Sequence, residues 1–476
     1  MKLKLSFITI VLSTLLLCFF VSCKKQSILT SGGILKFSVD TLKFDTVFTS
    51  QGSFTNGFLI VNPQNEEVKL SSVRMQNANS FFHLNVDGFQ GNSITGIKIA
   101  AHDSIYVFAT VNIDPTNANN PFVITDNIIA TLNGKDFTIP FTAYGQNAHY
   151  IVSDSIGTNT TWLTDKPYVI IHYAVVGPSV TLTIPADCKI YLHQDARLFV
   201  FGTLNVDAEG RDSVVFQGDR LDRAYFGYIG YPGEWGGIYF VGGNPGGQGN
   251  INNAVIKNCG GSTHSYQNFY TQPAAIEVDS GANLTINHSI VENSIGYGIF
   301  NWQGTVTANT CLVKTTGSFA YLSLQGGTST LTNCTFANYG SNAVSHSQDP
   351  TVALLNYFFP DNQHHYYGNL NAVMRNCIVY GSLDSEIVCD TASYTGQATV
   401  ELNHCLIKKG PFFKPFVQAD TCIYNQDPLF KDPTNGDFHL KSWSPAIGAG
   451  SRYYFPGGYK DLDNNTTINN TIGCYQ

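Results

Sequence analysis

The chain has 476 residues, of which only 13% are charged and 43% hydrophobic, with 44 Gly, 25 Tyr and 32 Phe against 3 Met. That balance excludes a disordered polymer and argues against long surface helices, leaving β structure. A net charge of −8, with no basic run beyond Lys24-Lys25 and Lys408-Lys409, argues against a nucleic-acid partner.

Residues 1–22 read as an export signal. Met1-Lys2-Leu3-Lys4 is the basic start, and Phe7 to Val21 is an apolar run too short for a comfortable membrane span. Phe20-Val21-Ser22-Cys23-Lys24 resembles a bacterial lipobox, with Phe20 where Leu is usual. The resemblance implies cleavage before Cys23, lipidation of Cys23, and a stable anchor on the outer membrane, its periplasmic or surface face left open. A plain secretory peptide cut near Ser22 is the alternative. Residues 23–33 are then a short tether ending in Ser31-Gly32-Gly33.

Residues 34–150 carry short alternating runs: Leu35 to Val39, Gly57 to Val61, Ser104 to Phe108 and Phe137 to Phe141. Turn residues separate them at the spacing expected of a β-sandwich. Thr41 to Val47, Asn62-Pro63, Val111 to Pro115 and Tyr144-Gly145 resemble the immunoglobulin-like domains related to the abnormal-spindle and hydin family. Such domains serve as spacers or docking modules, which implies no catalysis in this segment.

Residues 151–440 hold brief β runs broken by Gly, Asp or Pro, and an internal repeat. A small residue followed by two β-formers recurs at Ala254, Ser289, Cys311, Cys334, Cys377 and Cys405, at spacings of 35, 22, 23, 43 and 28 residues. A rung of 22 to 23 residues, enlarged by insertions, accounts for all of them. Asn253, Asn287, Asn309, Asn333, Asn376 and Asn403 precede the anchors and read as turn ladders. The register puts Cys311, Cys334, Cys377 and Cys405 in one inward column of core-packing free thiols, because stacked neighbours point the same way and make poor disulfides.

The run Glu234-Trp235-Gly236-Gly237-Ile238-Tyr239-Phe240, after Leu198 to Leu204, resembles the right-handed parallel β-helix proteins abundant among surface lipoproteins of Bacteroidetes. Asp427 to Phe430, Asp437 to Leu440, Ser444 to Gly450 and Ile472 to Tyr475 resemble that family's tail, which implies a C-terminal cap over residues 441–476. The implied architecture is all-β: an immunoglobulin-like sandwich, then a right-handed parallel β-helix. The resemblance includes polysaccharide lyases and glycoside hydrolases, but fold alone does not fix function.

Two aromatic clusters are candidate ligand contacts. One is Tyr357, Phe358 and Phe359 with His364, His365, Tyr366 and Tyr367; the other is Tyr228, Tyr231 and Trp235. Aromatic faces suit sugar rings, and each cluster also reads as self-packing loop aromatics. The acidic residues Glu277, Asp279, Glu292, Asp384, Glu386, Asp390 and Glu401, with Arg375, are scattered and read as solvated turn positions without a partnering base. No catalytic set, metal site or cofactor is read from the sequence. The expectation is a non-enzymatic envelope lipoprotein binding a polysaccharide or another envelope protein. A lyase or hydrolase acting in a groove is the alternative.

Overall fold

The computed structural model describes residues 27–114, 122–208, 212–221, 230–261, 264–266, 269–361, 363–392, 397–411, 413–455, 459–466 and 469–475. The export signal, Cys23 and Tyr228 lie outside the described residues. The protein is all-β with extensive parallel sheets, and the chain divides into two compact units after Gln146. The division falls slightly before residue 151, because His149–Ile156 pairs in parallel with Tyr168–Val176 of the second unit.

In the first unit, two sheets enclose one apolar core that includes Phe44, Phe58, Phe82 and Phe141. Alternation builds it: in Ser104–Val111, Ile105, Val107, Ala109 and Val111 face the core, while Tyr106 and Phe108 face out. Lys135–Gln146 joins the long antiparallel pair with Phe122–Leu132 to a parallel neighbour, Leu42–Phe48.

The second unit contains a 17-stranded and a 10-stranded sheet in which every pairing is parallel. The chain visits them in turn. Thr305–Asn309 lies in the smaller sheet, Leu312–Thr316 and Tyr321–Leu324 in the larger, and Gly327–Thr332 returns to the smaller one rung on. The corner between the sheets is one residue in the left-handed conformation: Asn253, His288, Thr310, Asn333, Asn376, His404 and Thr421, all with φ between 47° and 56°. Asn tolerates that region best among residues with a side chain, which explains its recurrence. The expected ladder therefore splits into two adjacent columns. Asn376 Nδ2 donates to Asn333 Oδ1 at 3.0 Å in the corner column, and Asn287 Nδ2 donates to Asn252 Oδ1 at 2.8 Å in the column before it.

The tail, expected to form a C-terminal cap over residues 441–476, packs on the larger sheet. The described residues between 430 and 475 lie along the side of the larger sheet, where Phe430, Phe438, Ala446, Ile472 and Cys474 cover Leu312, Ala337, Ile378 and Leu406. Those four point outward and are apolar, so they need a cover. Hydrogen bonds from Asn333 Nδ2 to the Tyr454 carbonyl and from Ser451 N to Asn376 Oδ1 fasten the tail to the corner column.

Candidate functional site

Between Val352–Leu355 and Leu370–Arg375 the chain leaves the sheets to form a hairpin, Tyr357–Phe358 paired antiparallel with Tyr366–Tyr367. Tyr357 Oη donates to Asp390 Oδ2 at 2.9 Å, and Lys414 pairs with the same carboxylate, so the hairpin is pinned to the coil beneath it. Burial pushes the Tyr357 phenol up to about 12, reinforced by Asp390, and it therefore stays a donor. Phe359 lies against Tyr357, His365 and Tyr367, with ring centres at 4.8, 4.4 and 5.7 Å. Phe358 meets Trp302 edge-on at 5.7 Å, and Trp302 Nε1 donates to Gln325 Oε1 at 3.0 Å.

Phe359 and Tyr366 keep 41% and 45% of their surfaces in solvent. A cluster whose members brace one another and still expose two rings can accept the C–H face of a sugar or another flat ligand. His364 turns away to Asp361, Nδ1 to Oδ2 at 2.7 Å, and this hydrogen bond holds the Asp361 carboxyl below its usual range. The two adjacent histidines thus serve different partners. Trp302, from the run Tyr297-Gly298-Ile299-Phe300-Asn301-Trp302, is a wall of this cluster that the sequence reading missed.

The second aromatic cluster does not form a matching wall from Trp235. That side chain is fully buried, its Nε1 donates to the Lys257 carbonyl at 2.8 Å, and its ring belongs to the main core. It has no face for a ligand, which corrects its place among the candidates. Tyr231 is 43% exposed, and its N–H donates to Glu234 Oε1 at 2.6 Å.

Two of the acidic residues expected at solvated turns, Glu277 and Glu386, are buried, and Asp279 is half-buried. Glu277 is buried in an outward column of the larger sheet, between Tyr239 and Phe300, and Asp279 stands two residues on. Glu277 Oε2 accepts the Gln272 N–H at 2.7 Å, Tyr239 Oη donates to the Gln272 carbonyl at 3.0 Å, and Asp279 Oδ2 accepts the Gly242 N–H at 3.3 Å. Arg197 is buried beside them, over Gly236, where an added Cβ would sit 2.3 Å from Arg197 Cγ. Gly236 thus makes room for the arginine side chain, and Gly237 for the Ala274 carbonyl, 2.1 Å from where its Cβ would sit. Burial raises both carboxyls, Asp279 to about 6, and a hydrogen bond joins the two, so the pair retains a proton that separate carboxyls would lose.

Chemically this is an acid pair, but Arg197, Tyr239 and Glu277 are each exposed by 2% or less. It clasps the segment at Thr271–Gln272 and offers no groove. Glu386 is also buried, bound to His346 and Thr351. Glu292 does have a base in its column: Lys314 is its register partner, Nζ to Oε2 at 2.9 Å.

Cys311, Cys334, Cys377 and Cys405 follow the corner residues in one buried column with Ala254 and Ser289, and Cys422 extends it by a further rung. Cys422 lies only 17 positions after Cys405, outside the repeat length that exposed the others. All five are free thiols. Cys377 Sγ donates to the Leu331 carbonyl at 3.3 Å and Cys405 Sγ to the Met374 carbonyl at 3.5 Å, each thiol being used against the rung before it.

No protein-family model matches the chain, and no curated protein matches it. Among solved structures, a family 123 glycoside hydrolase from Clostridium perfringens is 12% identical, over 24% of this chain and 26% of that one, with a TM-score of 0.17. The PapD-like domain 7 of human CEP192 is 12% identical, over 27% of this chain and 94% of that one, at 0.17. The Pseudomonas fluorescens alkylpurine DNA glycosylase AlkC is 9% identical, over 24% and 31%, at 0.16.

Proposed function

We propose that the chain is an exported, lipid-anchored envelope protein in which an immunoglobulin-like sandwich precedes a right-handed parallel β-helix, and that the β-helix binds a glycan through the 356–368 hairpin. The two parallel sheets, the smaller visited once and the larger twice in a rung such as Thr305 to Leu324, support the β-helix reading, since parallel crossovers are almost always right-handed. The two sheets around one core support the sandwich. For the anchor, the support is the lipobox-like sequence ending in Cys23.

The observation that carries the binding reading is the braced hairpin exposing Phe359 and Tyr366. Against an enzyme stands the burial of Glu277, whose carboxyl is hydrogen-bonded to Asp279; a hydrolase needs its carboxyls about 5 to 9 Å apart with sugar between them. A glycan array on the full chain in detergent tests this, run beside the Phe359→Ala and Tyr366→Ala variants and reducing-sugar and unsaturated-uronate assays. Binding that both substitutions weaken about tenfold or more, without product release, is expected. Release of sugar from any polysaccharide overturns it.

A further inference from the structure

The first unit carries a second feature with the chemistry of a ligand site. Its five-stranded sheet runs Lys36–Phe37, Asn56–Val61, Ser104–Val111, Phe82–Val86, Phe89–Gln90. Strand alternation sends Leu84, Val107 and Ala109 into the core, and turns His83, Asn85, Tyr106, Phe108 and Thr110 to the other side. Cross-strand register then orders them: His83 lies opposite Thr110, and Asn85 lies between Phe108 and Gln90.

A cleft of about 670 Å³ opens over this row, lined by His83, Asn85, Gln90, Asn92, Phe108 and Thr110 among others. That size falls within the usual range for small-ligand sites, roughly 300 to 1,000 Å³. Phe108 leans over Gly57, whose missing Cβ would lie 2.9 Å from the ring, so the glycine makes the ring position possible. Tyr106 lies parallel to it within 4°, centre to centre 5.5 Å, and the two rings stay 59% and 40% exposed.

Among the described residues lining the cleft there is no Asp, Glu, Lys or Arg. An ionic ligand would find no counter-charge. Amide, hydroxyl and imidazole groups instead both donate and accept, which matches the hydroxyls of a polyol. Asn85 Oδ1 is buried at the cleft with no hydrogen-bond partner, an acceptor that a sugar hydroxyl satisfies. The exposed aromatic face beside these groups suits the C–H side of a pyranose.

We propose that this face of the first unit binds a neutral oligosaccharide, with Phe108 as the stacking ring and Asn85 as the principal hydrogen-bonding group. The site stands independently of the hairpin reading.

The test is calorimetric titration of the full chain in detergent with cellohexaose, xylohexaose, mannohexaose, laminarihexaose and hexagalacturonic acid. At least one neutral hexaose should bind, and Phe108→Leu, which keeps Gly57 covered, should weaken it about tenfold or more. His83→Ala, at an exposed position, should weaken the same ligand, guarding against a folding defect in the first variant. Phe359→Ala should leave this binding unchanged. No neutral hexaose bound, preference for the uronate, or binding lost in Phe359→Ala but kept in Phe108→Leu and His83→Ala overturns the proposal. Protein bound at this face in place of any sugar overturns it as well.

Discussion

Nε2 of His346 lies 3.0 Å from Oε2 of Glu386, with both side chains buried. The same carboxylate accepts the Thr351 N–H at 3.0 Å, the Thr351 hydroxyl at 2.7 Å and the Leu383 N–H at 2.7 Å. One side chain thereby ties the insertion after Tyr339 to the rung that begins Ile387–Asp390.

Removing the hub should cost more than removing a spoke. Glu386→Ala strands several buried donors at once and should destabilise this region by about 3 kcal/mol or more. His346→Ala leaves the carboxylate three donors and should cost about half as much. Hydrogen exchange at the Val352 and Leu383 amides reads the local opening. Equal acceleration in the two variants would remove Glu386 from its central place.

Local pattern and register make the rungs legible in the sequence. The anchor residues from Ala254 to Cys405 do lie in one column, because a single left-handed corner residue precedes each and leaves room only for a small side chain. What sequence could not reveal is which polar residues the coil turns inward or covers. Glu277 and Arg197 are about 80 positions apart in the chain, and only the rung register puts them together. Trp235 and Phe359 both read as exposed aromatics; one is core and one is surface because Trp235 precedes a strand of the sheet while Phe359 sits in an insertion. The tail's position along the sheet was hidden for the same reason, since it depends on the outward apolar residues of four different rungs.

The Glu277–Asp279 pair should make the second unit less stable as pH rises. Its carboxyls are raised on folding, Asp279 to about 6, so the folded state holds protons the unfolded chain releases near pH 4. Their contribution is complete below about pH 4 and is lost as pH rises through about 6. Glu277→Gln replaces the shared proton with an amide N–H that donates to Asp279 while its carbonyl still accepts from Gln272. Exchange of the Gln272 and Gly242 amides, followed from about pH 5 to about pH 8, should accelerate in the wild type and stay nearly level in Glu277→Gln. A parallel rise in both would show that the pair is not the titrating element.

A second pH effect belongs to the tail. His439 is held by Asp437 at 2.6 Å and Asp463 at 2.7 Å, and its ring stacks on Tyr475 at 4.0 Å. Burial works against the imidazolium, but the hydrogen bonds to Asp463 and Asp437 outweigh it and raise the imidazole above its ordinary value. The stabilisation is therefore complete below about pH 6.5 and fades as pH rises through the higher folded value. Asp437, lowered by its bond to His439, limits the window on the acid side: its share is present above about pH 4 and is lost below that. Trypsin cleavage at Lys441, timed across this range, should be slowest at mildly acidic pH. In His439→Gln the dependence should flatten, and an unchanged profile would assign it elsewhere.

Cys422 should be the reactive end of an otherwise inert thiol column. It is the one described cysteine that is not buried, and a hydrogen bond from Cys405 lowers its thiol to about 7. Burial acts oppositely on Cys334 and Cys405, raising both; in Cys377 burial is outweighed by hydrogen bonds from Cys334 and Cys405, which lower the thiol, but the side chain is fully buried and out of a reagent's reach. Because the thiolate is the nucleophile, iodoacetamide at about pH 7 should label Cys422 roughly tenfold faster than any column member above it. Cys405→Ala removes the donor, so the pH midpoint of Cys422 labelling should move up toward about 8.5. Peptide mapping after timed alkylation, without reductant, reads both effects. Equal labelling along the column, or a bridge joining Cys311 to Cys334 or Cys377 to Cys405, would contradict the buried register, since stacked thiols that point the same way can pair only if the rungs shift.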